Sequence, residues 1–148
     1  MNRVALVTGV GPGLGAAIAR RFAREGFQVG LVARKRDFID TLATEISASG
    51  PRALCVAADV SRPAEVATAV RYVRENLGSI TALIHNASSA LGEGLSGTAP
   101  EDFEQSWRVT ALGGFVCARE TAPDMIAAGG GVMLFTGATS SVRASQSS

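Results

Sequence analysis

One stretch near the amino terminus, Leu6-Val7-Thr8-Gly9-Val10-Gly11-Pro12-Gly13-Leu14-Gly15, constrains the fold more than any other, because an apolar run there meets four glycines and then a helical pattern. Before it, Val4, Ala5, Leu6 and Val7 form the continuous apolar run of a strand buried on both faces. After it, Ala16, Ala17, Ile18, Ala19 and Phe22 recur at helical spacing, with Arg20, Arg21, Arg24 and Glu25 on the other side. Glycines at a strand-to-helix turn let backbone N–H groups approach an anion closely, and the helix N-terminus favours negative charge by about 0.3 to 1 kcal/mol. The ligand implied is a dinucleotide pyrophosphate. Glycine turns also serve simply to pack a helix tightly on a sheet, and the strand and helix on either side favour the binding reading.

The same grammar repeats along the chain. Phe27–Ala33 reads as a second buried strand, Lys35–Ser49 as a helix with Phe38, Ile39, Leu42 and Ile46 on its apolar face, and Gly50-Pro51 as its stop. Ala53–Ala58 is a third strand ending at Asp59; a third helix follows, with Ser61 as a candidate N-cap, Pro63 in its first turn and Val66, Ala69, Val70, Val73 and Leu77 as its stripe. Ile80–Ile84 is the fourth strand, followed by a loop rich in Gly, Ser and Ala from Asn86 to Thr98. Pro100–Ala128 is a long helix that Pro123 should kink or break near its end, and Val132–Phe135 is the fifth strand.

Strands alternating with helices call for parallel pairing, right-handed crossovers and helices on both faces. The expected architecture is therefore an α/β, Rossmann-type, doubly wound sheet of about five strands in the order 3-2-1-4-5. Gly9, Ala33, Asp59, Asn86 and Thr136 fall at or just after strand ends and converge on one rim, where ligands of open α/β sheets bind.

Composition narrows the partners. The 148 residues suit a single domain; the net charge of +1 shows no basic stripe, and 5% aromatic content offers few stacking platforms, which argues against nucleic acid. There is no membrane-spanning apolar run and no signal-peptide pattern, so a cytoplasmic protein without a membrane partner is expected. Cys55 and Cys117 lie in apolar runs without metal-ligand spacing and read as buried, reduced thiols; no metal site is expected.

Thr8, Gly9, Gly13 and Gly15 do not fit Gly-x-Gly-x-x-Gly but do fit Thr-Gly-x-x-x-Gly-x-Gly. With that spacing the chain resembles the short-chain dehydrogenases/reductases, and the resemblance extends over essentially all its residues. Asp59-Val60 is similar to the family's Asp-Val after strand three, which implies that the acid contacts the adenine amino group and Val60 lines its pocket. Asn86-Ala87 matches part of the family's Asn-Asn-Ala-Gly, while His85 and Ser88 depart from it. A lone His at a strand end is more often a hydrogen-bonded loop residue than a catalyst. The implied cofactor-binding set is Thr8, Gly9, Gly11, Gly13, Leu14, Gly15, Arg34, Lys35, Asp59, Val60, Asn86 and Ala87.

Where NAD-preferring proteins carry a carboxylate after strand two, this chain has Ala33-Arg34-Lys35-Arg36. A charge-assisted hydrogen bond to a 2′-phosphate is worth about 1.5 to 3 kcal/mol, so Arg34 alone would favour NADP(H) over NAD(H) by roughly 10- to 150-fold. The competing reading of these cations is a solvated helix start.

The resemblance implies hydride transfer between the nicotinamide and a small carbonyl or alcohol substrate, with a Tyr-x-x-x-Lys pair as its acid machinery. Tyr72 is the only tyrosine and Lys35 the only lysine, so no such pair exists here. Thr110 stands at the family's usual Asn position in the long helix and Gly137 at its usual Ser, with Thr139, Ser140 and Ser141 as weaker hydroxyl candidates. The sequence is thus expected to stop before the catalytic helix, to leave its sheet incomplete on the C-terminal side, and to end in a frayed tail over 142–148. An NADP-dependent oxidoreductase whose cofactor-binding part lies here, inactive by itself, is the leading reading. The alternative is a noncatalytic dinucleotide-binding or oligomerising module. Self-association through the long fourth helix is expected, because Trp107, Leu112 and Phe115 would be left partly uncovered.

Overall fold

The computed structural model describes residues 3–89, 94 and 96–142. Five strands, β1 (Val4–Thr8), β2 (Gln28–Ala33), β3 (Ala53–Ala57), β4 (Ile80–His85) and β5 (Val132–Phe135), form one parallel sheet in the order β3-β2-β1-β4-β5. Between them run α1 (Leu14–Arg24), α2 (Arg36–Ala48), α3 (Pro63–Leu77), α4 (Pro100–Trp107) and α5 (Gly113–Ala127), with a π-helical turn at Arg108–Leu112 joining the last two. The architecture is the one the alternating pattern calls for.

Successive side chains of a strand point to opposite faces, and β1 divides its four apolar residues accordingly. Ala5 and Val7 pack with Ala16 and Ala19 of α1 and Ile39 and Leu42 of α2. Val4 and Leu6 pack with Val70 and Val73 of α3 and Val116 of α5 on the other face. All of these residues are fully or almost fully buried, each Leu, Ile or Val contributing about 1.5–3 kcal/mol. The central strand is thereby pinned from both sides, and its C-terminal end is held at a fixed rim.

Several boundaries differ from the sequence expectation for identifiable reasons. Strands β1 and β4 each run one residue beyond their apolar runs, because Thr8 pairs with both Val32 and His85 across the ladder. Phe27 is outside β2: its amide closes the end of α1 by donating to the Phe22 carbonyl at 3.1 Å, and its ring stacks edge-on against Phe22. The N-cap position of α3 falls on Arg62, not Ser61, because the Asp59 carboxylate takes both the amide and the hydroxyl of Ser61. Pro123 does not break the long helix, which continues to Ala127; the irregularity lies instead in the widened turn upstream.

Cys117 is buried as expected, and burial pushes its thiol up to about 12. Cys55 is not: it is half-buried on the edge strand β3, where its thiol donates to the Asp40 carboxylate at 2.5 Å and receives Arg36 at 3.4 Å. β5 forms the other edge, with Val132, Leu134 and Phe135 exposed. Trp107 and Phe115 are exposed too, whereas Leu112 is half-buried against the core. No helix among the described residues is long and apolar enough to cross a membrane. Of the expected tail, Val142 is exposed and 143–148 lie outside the described residues, as does part of the loop after β4.

Candidate functional site

The carboxyl ends of β1, β2, β3 and β4 open onto one cleft of about 560 Å³. Its floor is the glycine turn between β1 and α1. Gly9 takes φ +73°, and a Cβ there would stand 2.3 Å from the Ala87 amide nitrogen; at Gly15 a Cβ would stand 2.6 Å from the Gly9 carbonyl. Close packing therefore requires these two glycines. Gly11 and Gly13 differ, since a Cβ on either would meet nothing within 4 Å. The N-terminus of α1 carries no acidic residue in its first turn and no side-chain cap, so no side chain of the chain itself offsets its partial positive charge, although the Ala16 amide donates to the Gly11 carbonyl at 3.1 Å.

Eleven of the twelve sequence-selected binding residues line this cleft: Gly9, Gly11, Gly13, Leu14, Gly15, Arg34, Lys35, Asp59, Val60, Asn86 and Ala87. The twelfth, Thr8, is buried beneath it, with its hydroxyl 2.8 Å from His85 Nδ1. Arg34 and Lys35 are exposed at one end. Arg36 is not available there, because it pairs with Asp40 one helical turn on. Partial burial opposes ionisation of Asp59, but the hydrogen bonds from Ser61, with Arg62 and Arg34 nearby, outweigh it and hold the carboxyl below its ordinary range. A charged Asp59 thus faces the same end of the cleft as two cations.

Asn86 links the strand ends. Its Nδ2 donates to the Gly9 carbonyl at 3.0 Å, and its Oδ1 accepts from the Thr136 hydroxyl at 2.9 Å. At the far end Ser88, Ser89, Gln105 and Val109 complete the wall. Sequence reasoning missed them, along with Phe38; Ser88 and Ser89 follow Asn86-Ala87 directly, and Gln105 and Val109 stand at helical i, i+4 spacing, but nothing local says which helix face meets the cleft. Ser106 donates to the Ser89 carbonyl at 2.7 Å, and the Ser89 amide donates to Thr110 Oγ1 at 3.4 Å, fastening this wall to the long helix.

Thr110, Gly137, Thr139 and Ser141 are not among the residues that line the cleft, although Thr110 touches its wall through Ser89. Thr110 and Gly137 are exposed, Thr139 and Ser141 sit in a short exposed helical turn, and the Ser140 side chain lies outside the described residues. Tyr72 is exposed on α3, away from this rim. His85 is a strand residue, 3% exposed, not a loop residue. Burial lowers its pKa against the opposing pull of the Val109 and Thr110 carbonyls, so the imidazole stays neutral further into acid than a free histidine. No cluster of metal-ligating side chains occurs among the described residues.

A family model described as short chain dehydrogenase matches residues 3–147. A short-chain dehydrogenase/reductase of Armillaria gallica is 37% identical over 133 residues, which cover 88% of this chain and 51% of that protein. A versicolorin reductase of Emericella nidulans is 32% identical over 143 residues, 96% of this chain and 54% of that one. Among solved structures, L-sorbose reductase from Gluconobacter frateurii, complexed with NADPH and L-sorbose, superposes with a TM-score of 0.93 at 33% identity, covering 99% of this chain and 56% of that chain. The chain spans about half the length of the curated relatives it matches.

Proposed function

Because the chain belongs to the short-chain dehydrogenase family, we propose that it holds NADP(H) for an oxidoreductase acting on a small carbonyl or alcohol. The observation that carries this reading is the cleft at the strand ends, whose glycine floor is open over Gly11 and Gly13 and whose mouth carries Arg34 and Lys35. A pyrophosphate suits the N-terminus of α1, which has no acidic residue in its first turn and no side-chain cap, and a side chain at Gly11 or Gly13 would fill the space it needs. Arg34 and Lys35 suit a 2′-phosphate, which a carboxylate at this position would repel. Asp59 and Val60 suit the adenine, and Asn86-Ala87 the neighbouring ribose. The NADPH-bound L-sorbose reductase, similar over nearly the whole chain, adds support for the choice of cofactor.

When bound, the cofactor supplies or accepts the hydride; the residues lining the cleft bind and orient it. With Tyr72 in α3 and Lys35 just before α2, these 148 residues are expected to bind NADPH without reducing a carbonyl by themselves. The exposed Trp107 and Phe115 on the long helix support a homo-oligomer. A purely binding or oligomerising module is the second reading; among these 148 residues the one tyrosine, Tyr72, and the one lysine, Lys35, form no Tyr-x-x-x-Lys pair.

Fluorescence titration with NADPH and NADH tests the cofactor assignment. Tighter NADPH binding should be lost by roughly 10- to 150-fold in Arg34→Ala, with NADH binding unchanged. Equal affinities for the two cofactors before substitution would remove NADP from the reading. Turnover of a carbonyl by the 148-residue chain would remove the division of labour.

A further inference from the structure

Beneath the cleft lies a buried side chain that cofactor binding leaves unused. His85 sits where three elements meet. Its Nδ1 is 2.8 Å from the Thr8 hydroxyl, under the glycine turn. Its ring packs on α5 so closely that a Cβ on Gly114 would stand 3.1 Å from Cδ2. Phe135 of β5 covers another side, with ring centroids 6.2 Å apart. Nε2 is buried and makes no well-formed hydrogen bond among the described residues.

The helix opposite this nitrogen is irregular. In the π-helical turn at Arg108–Leu112 the hydrogen-bonded rings are one residue larger than in an α-helix, so a carbonyl at the transition is left for another donor. The carbonyls of Val109 and Thr110 act on the imidazole from this turn. A neutral imidazole has one acceptor nitrogen and one donor N–H, and each of its two neighbours here suits one of them.

We infer that His85 is a positioning residue for the cleft, accepting the Thr8 hydroxyl proton at Nδ1 and directing its Nε2–H to the carbonyls of the widened helical turn. The consequence for binding rests on the NADP(H) reading of the cleft. Val109 lines the cleft, and Thr110 and Ser106 hold Ser89 in its wall. The ring therefore sets the distance between the glycine floor, which begins one residue after Thr8, and the wall formed by Ser88, Ser89 and Val109.

Two measurements test this. His85 is the only histidine in the sequence, so its ring nitrogens are assignable in an ¹⁵N spectrum of the ligand-free protein. The expected signature is a neutral ring with Nε2 protonated and Nδ1 bare at neutral pH; a proton on Nδ1, or a charged ring, would overturn the inference whatever the cofactor. NADPH titration of His85→Phe, His85→Gln and His85→Asn gives the second readout. Gln can reach the helical turn with its side-chain amide, whereas Asn reaches only toward Thr8. His85→Phe should weaken binding about tenfold, Gln should recover most of the loss, and Asn little. Asn binding as tightly as Gln would overturn the link to the helix, and that comparison decides the matter if the Phe variant does not fold. Failure of the unsubstituted protein to bind NADPH would sink the cofactor reading, while the ring spectrum would still decide the hydrogen bonds of His85.

Discussion

The side-chain amide of Asn86 donates to the carbonyl of Gly9 at 3.0 Å, although 77 positions separate the two residues. The other end of the same amide accepts from Thr136, so one side chain ties together the ends of β1, β4 and β5. The arrangement needs a donor on one side and an acceptor on the other, which among side chains of this size only an amide supplies. Asn86→Asp replaces the donor with a second acceptor facing a carbonyl. It should cost about 1–3 kcal/mol, read as a lower urea midpoint at unchanged slope. An unshifted midpoint would mean that the bridge contributes nothing.

The four glycines of the turn separate into two pairs. Gly9→Ala combines a positive φ, costing about 1–3 kcal/mol by itself, with overlap against the Ala87 backbone, and it should abolish cooperative unfolding or lower the melting temperature sharply. Gly11→Ala and Gly13→Ala enter open space and should change stability by less than about 1 kcal/mol while weakening NADPH binding. Melting curves and titrations on the same samples distinguish the pairs. If Gly11→Ala binds NADPH normally, the open floor is not where the pyrophosphate lies.

His85 gives stability a pH dependence of known sign. Burial, opposed by the Val109 and Thr110 carbonyls, keeps its pKa in the fold below the ordinary value of 6.5, and no charged side chain contributes to the shift. The unfolded chain therefore binds the proton more readily, so the stability is fully present above about 6.5 and is lost as pH falls through the folded-state pKa. Between about pH 7.5 and 5.5 the protein should lose more unfolding free energy than His85→Asn does in the same buffers. Parallel losses would show that other groups carry the acid sensitivity.

Phe115 is 61% exposed and Trp107 49% exposed on the long helix. If this face supports self-association, Phe115→Glu should shift the sedimentation profile toward monomer while changing stability by less than about 0.5 kcal/mol, the usual range for a surface position. A profile unchanged by this substitution and by Trp107→Glu would exclude the face as an interface.

Much of the molecule is legible without its structure. Buried parallel strands read as unbroken apolar runs and their helices as stripes, so the five strands and the rim joining their ends follow from local pattern. Arg34, Asp59 and Asn86 are recognisable because each follows such a run. The features that escape this reading depend on which strand lies at an edge and on which helix face turns inward. Cys55 is half-buried because β3 has a neighbour on one side only, and Gln105 and Val109 reach the cleft because the long helix packs over β4.

The sequence by itself determined the fold, the glycine turn and the positions of the cations and the acid, because each is a property of spacing along one strand–turn–helix unit. Only the tertiary structure decided what His85 and Asn86 do. Their partners, Thr8, Gly9 and Thr136, are tens of residues away and come within hydrogen-bonding distance only once β4 is inserted between β1 and β5.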